Sequence, residues 1–132
     1  MNHEFYKSDK NLWRSTGIVD AFGIEHKLSP IDKQVYSYLY DRFEFFMSIG
    51  KQYFDSNKDI SKELGVAEKT IARSTVFLHE VGIVDKEIRF YRNLPKNVYN
   101  KVYDFLILES GLITSKKYLG LNYGTQTEII ER

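Results

Sequence analysis

Apolar residues recur at helical spacing through Ile31, Val35, Tyr38, Leu39, Phe43, Phe46 and Met47, which predicts a long amphipathic helix. Leu28-Ser29-Pro30 opens it: Ser29 can accept an orphan backbone N–H, and Pro30 suits the first helical position. Gly50 ends it, and Gln52-Tyr53-Phe54 reads as a short extended stretch. Ser56-Asn57 starts a second helix with Ile60 and Leu64 inward, stopped at Gly65. Val66 bridges a tight turn into a third helix from Ala67 to Val81, whose inward face is Ile71, Ser74, Thr75, Leu78 and Val81, with Gly82 beyond its end.

After Gly82 the period changes. Ile83 to Tyr91 reads as a strand, and Arg92-Asn93-Leu94-Pro95 as a turn. Lys96 to Tyr103, rich in Val, Tyr and Asn, suits a returning strand. The clustering of Val98, Val102, Phe105, Leu106 and Leu108 before Gly111 suits a helix equally. The favoured reading is a short strand over Lys96–Tyr99 followed by a helix to Glu109. Residues 1–28 scatter Phe5, Tyr6, Leu12, Trp13, Ile18, Val19, Phe22 and Ile24 without a period, and are expected to be an arm packed on the domain. Residues 110–132 are expected to be a tail or linker, with a turn at Gly120–Gly124. Its last residues, Thr127 to Arg132, read as the start of something that continues into a longer chain.

The 132 residues include ten Tyr, nine Phe and one Trp. That is enough ring surface for a core larger than a minimal three-helix unit, or for an apolar face kept for a partner. The stripe Tyr36, Tyr38, Tyr40, Phe43, Phe45 and Phe46 is read as core and arm contact, with a homodimer face left open. Net charge is only +1. It is unevenly spread: Lys51 to Lys101 carries ten Lys and Arg against seven Asp and Glu, a local excess of +3. Cysteine is absent, which excludes disulfides, cysteine-ligated zinc and a cysteine nucleophile. No apolar run is long enough to span a membrane, and the first ten residues lack the apolar stretch of a signal peptide. The expected location is the bacterial cytoplasm or nucleoid.

His3, His26 and His79 are isolated, with no HExxH motif and no His-x-His pair of a nicking nuclease, so no metal is expected. Gly50-Lys51 lacks the rest of a phosphate loop, and no serine has a recognisable His/Asp partnership. The reading is therefore no enzyme and no cofactor.

The segment Asp59-Ile60-Ser61-Lys62-Glu63-Leu64-Gly65-Val66-Ala67-Glu68-Lys69-Thr70-Ile71-Ala72-Arg73 resembles a helix-turn-helix. Gly65 can take the positive φ that a steep crossing needs. With the preceding LSPIDKQVYSYLYDRF and the following RNLPKNVY, the resemblance covers roughly residues 28–100. It is closest to the winged helix domains of phage and plasmid replication initiators and bacterial regulators. It implies a winged helix-turn-helix of 29–109, mainly α with a small β-wing. The implied function is sequence-specific double-stranded DNA binding, as origin recognition in a mobile element. Alternatives are an operator-binding regulator or a protein-interaction module without DNA binding. Implied contacts are Glu68, Lys69, Thr70, Ala72 and Arg73 on the groove side of the third helix. Ser56, Asn57 and Lys58 at the second helix's start would meet a backbone phosphate. Lys86, Arg89, Arg92 and Lys96 would line the wing. Lys69 and Arg73 are one turn apart, and Arg73 is the candidate for bidentate guanine readout. Val76 and Phe77 depart from the pattern, being apolar where related recognition helices are polar. Either another segment covers them or they form a dimer face.

Overall fold

The structure, a computed structural model, describes residues 9–119 and 129–130. The expectations placed on His3, Phe5, Tyr6 and the Gly120–Gly124 turn lie outside these residues. The described residues form four α-helices: α1 (Lys10–Arg14), α2 (Pro30–Ser48), α3 (Asn57–Leu64) and α4 (Glu68–Glu80). The strands are β1 (Gly17–Val19), β2 (Glu25–Lys27), β3 (Tyr53–Asp55), β4 (Val84–Tyr91), β5 (Leu94–Val102), β6 (Phe105–Leu108), β7 (Ile113–Ser115) and β8 (Ile129–Ile130). They make a three-stranded sheet in the order β3-β5-β4 and a five-stranded sheet in the order β2-β1-β7-β6-β8.

The helix boundaries follow from local chemistry. The Ser29 hydroxyl accepts the Asp32 N–H at 3.1 Å while the Ser29 N–H donates to the Asp32 carboxylate at 3.2 Å, a reciprocal box with Pro30 just inside. Ser56 caps α3 by accepting the Asp59 N–H at 3.0 Å. Gly65 ends α3 in the left-handed region at φ 67°, a conformation that costs an L-residue with a side chain about 1 kcal/mol or more. The chain then turns directly into α4, and the Ser61 hydroxyl clamps the turn by donating to the Val66 carbonyl.

One apolar core joins everything. Val35, Tyr36, Leu39 and Phe43 of α2 are buried with Ile60 of α3, Ile71 and Leu78 of α4, Tyr53 and Tyr99 of the three-stranded sheet, and Ile18, Phe105, Ile107 and Ile113 of the five-stranded sheet. Polar clamps fix the orientation. The Tyr36 hydroxyl donates to the Tyr103 carbonyl at 2.7 Å, the Ser74 hydroxyl to Asp32 at 2.8 Å, and the Lys33 ammonium to the Trp13 carbonyl at 3.0 Å. Met47, expected inward on α2, is exposed.

The expected fold class, a winged helix-turn-helix that is mainly α with a small β-wing, is corrected. The chain is α/β, with two sheets, and the larger sheet is absent from that expectation. Three segments account for it: the end of the expected helix, the stretch read as an arm, and the expected tail or linker, whose residues 113–115 form β7. Residues 105–108 form a strand, not the end of a helix, because Gly111 at φ 91° makes a tight turn that folds β7 back antiparallel onto β6, pairing Ile107 with Ile113. Within the stretch read as an arm, β1 pairs parallel with β7, with the Thr114 hydroxyl donating to the Val19 carbonyl at 2.9 Å, and β2 pairs antiparallel with β1. Covered on all sides, β6 has four consecutive buried residues, a pattern that cannot be told from a buried helix by periodicity. The return strand is also longer than expected, running Leu94–Val102, and the turn before it is only Arg92-Asn93.

Candidate nucleic-acid interface

Because α3 and α4 bury Ile60, Ile71 and Leu78 into a common base, the opposite side of α4 is forced outward. Lys69, Arg73 and Val76 lie on that side, at helical spacing, and all are exposed. Glu68 is exposed as well, whereas Thr70 and Ala72 are only partly accessible. Phe77 is half-buried, and its ring meets the His26 ring of β2 edge-on at 6.1 Å. His26 is itself held at 2.7 Å from the Asp20 carboxylate. Val76 stays 48% exposed.

Beside the starts of α3 and α4, the outer half of the β4–β5 hairpin encloses a cleft of about 470 Å³. Ser56, Asn57, Lys58 and Glu68 line it from the helices, and Lys96 from the hairpin. Five of the residues singled out in the sequence therefore meet in one place. Lys86 reaches the same place through a relay. Its ammonium donates to the Asn97 side-chain oxygen at 3.3 Å, and the Asn97 amide donates to Asn57 at 2.8 Å. Half-burial lowers the Lys86 pKa by desolvating its charge, and such an ammonium is under-hydrated and gains from an incoming anion.

Two of the expected wing contacts lie elsewhere. Arg92 sits at the hairpin's apex, and Arg89 on its flank is bound to Glu87. Ser56 acts as a cap, its hydroxyl oxygen already engaged by the Asp59 N–H. Asp59 and Glu68 offset part of the charge that Lys58 and Lys96 bring to the cleft, and a carboxylate there can accept from a donor such as a base amino group.

Sequence reading missed Ile88, Leu94, Pro95 and Asn97 as cleft residues. It also missed Asp55, whose carboxylate accepts the Tyr53 hydroxyl at 2.9 Å and the Ser56 N–H at 3.0 Å below the start of α3. Burial raises the Asp55 pKa, against the lowering effect of the Tyr53 hydrogen bond. The alternation of β4 could have placed Ile88 and Phe90 on one face. Nothing local marks Asn97, because its role depends on Asn57, forty residues away.

The chain matches no protein-family model and no curated protein sequence.

Proposed function

We propose that this protein binds double-stranded DNA sequence-specifically, with α4 laid in a major groove and the β4–β5 hairpin against the neighbouring backbone. One observation carries the reading. Gly65 turns α3 into α4 so that Lys69 and Arg73 project from a buried apolar base, one turn apart on an exposed face. A major groove about 12 Å wide admits a helix presented this way. Lys58, Lys86 and Lys96 on the adjoining cleft and Arg92 at the hairpin apex supply charge for phosphates on either side. The resemblance of residues 28–100 to initiator and regulator domains supports origin recognition in a mobile element as the biological task.

The test is selection of bound sites from a random duplex pool, followed by a salt titration. Contact with four or five phosphates gives a slope of log K against log salt of about −4. Arg73→Ala is expected to lose about 1–3 kcal/mol on the selected site and to relax its sequence preference. Equal loss on random duplex removes Arg73 from base readout. A flat salt slope, or no binding, overturns the reading in favour of a protein-interaction module. Recovered genomic sites at a replication origin separate an initiator from a promoter-bound regulator. Palindromic half-sites one helical turn apart mark a bound dimer.

A further inference from the structure

Hairpin arms normally bury one face and hydrate the other. The β4–β5 hairpin obeys this only at its base, where Val84 pairs with Val102 and both are buried. Towards its tip, cross-strand partners share a face. Phe90 opposite Pro95 makes one face apolar, and Tyr91 opposite Leu94 makes the other apolar too. Phe90 is 70% exposed and Leu94 63%, with Ile88 exposed behind them. Tyr91 is braced by stacking on Phe54 at 5.3 Å, and the Lys96 ammonium lies 5.6 Å over that ring.

The apex is equally unusual. Arg92 and Asn93 both have positive φ, 52° and 66°, the mirror-image turn whose twist matches the two strands. Glycine or asparagine is favoured at both central positions of such a turn, yet the first is an arginine. A strained backbone position that carries a cation at the foremost point of a projecting arm is a mark of function. From residue 88 to residue 97 the hairpin carries Arg89, Arg92 and Lys96 and no acid. A neutral apolar partner would not select that charge, whereas a polyanion with a stacked apolar interior would.

We propose that the hairpin tip is a wedge that enters the minor groove and unstacks a base step, with Phe90 inserted, Leu94 on the wedge's opposite face and Arg92 reaching along the groove. This rests on the DNA-binding reading above and adds to it a deformation of the duplex. Apolar side chains flanked by cations are the means by which minor-groove binders kink DNA, and arginine is drawn to a narrow minor groove by its negative potential. The stacking of Phe54 on Tyr91 stiffens the arm against the force of insertion.

The experiment uses the full chain in two measurements. Binding is followed by anisotropy on a short mixed-sequence duplex at low salt. Unstacking is followed by relaxing closed circular plasmid with a topoisomerase in the presence of protein, which records any change in linking number. Wild type is expected to bind and to shift the linking number. Phe90→Ala, at an exposed position, is expected to bind within about threefold of wild type, because phosphate contacts supply most of the affinity, and to lose most of the shift. Phe90→Trp is expected to keep it. If wild type binds without any shift, or Phe90→Ala shifts like wild type, the wedge is wrong and DNA binding stands. If wild type binds no duplex but binds anionic phospholipid vesicles, both readings fall.

Discussion

The two sheets of this protein are built in opposite ways. The three-stranded sheet comes from one stretch of chain, residues 53–102, with a two-residue turn between its long strands, and half of its length stands in solvent. The five-stranded sheet is assembled from residues 17–27 and 105–130, joined across the whole intervening chain by the parallel pairing of β1 with β7. Its central strands β6 and β7 are entirely buried. Those two strands turn their side chains into the packed interior. The three-stranded sheet leaves cations and aromatic rings unburied, along with the cleft. Side chains left over by packing are where binding is to be sought, and the three-stranded sheet and the outward face of α4 place Ile88, Phe90, Leu94 and Val76 beside exposed cations.

The contrast is broken most severely where the two regions touch. Gly82, at φ 82°, links α4 to β4, and a Cβ there would overlap the hydroxyl of Tyr118, which donates to the Val81 carbonyl. Gly82→Ala combines left-handed strain with displacement of a buried ring, and is expected to cost about 3 kcal/mol. Chemical denaturation measures it, and a loss below about 1 kcal/mol would mean that the two regions tolerate sliding past each other. A smaller effect separates stability from binding on the exposed sheet. Arg92→Gly relieves the positive φ and is expected to stabilise the protein by about 1 kcal/mol while weakening its grip on all DNA sequences alike. Thermal unfolding and duplex titration should therefore move in opposite directions. If both fall, Arg92 holds the hairpin together and does not contact DNA.

The smallest effect lies beneath the cleft. Burial raises the Asp55 pKa above its ordinary value of 3.8, so the folded state binds this proton more tightly than the unfolded chain does. The associated stability is fully present below pH 3.8 and is lost as pH rises through the raised value. Asp55→Asn removes that titration. Wild type should therefore gain stability relative to the variant on acidification from neutrality to about pH 4, as read by urea unfolding at the two pH values. No relative change would place Asp55 in a solvated setting.

The caps at Ser29 and Ser56, the turn at Gly65 and the inward faces of α2, α3 and α4 were legible in the sequence because each depends on residues within a turn of one another. So was the outward placing of Lys69 and Arg73, which follows once Ile71 and Leu78 face in. The strand β6 was not legible. Phe105 to Leu108 is apolar throughout, and only its partner β7 makes it extended. The hairpin turn was legible at Arg92-Asn93, but its tightness was not: without a glycine to announce a two-residue turn, Leu94 and Pro95 were read as part of it and not as the start of β5. The cleft joins Asn57 to Asn97 and Lys96, and no spacing rule connects positions so far apart.

By itself, then, the amino-acid order determined α2, α3 and α4, their ends and the side of α4 that carries positive charge, since hydrogen bonds and periodicity act over three or four residues. Tertiary structure alone decided that the chain is α/β. It closed the five-stranded sheet from distant segments, left both faces of the hairpin tip in water and brought the start of α3 against β5. Those outcomes depend on which apolar surfaces find each other across the chain, and burial is indifferent to the distance in sequence between them.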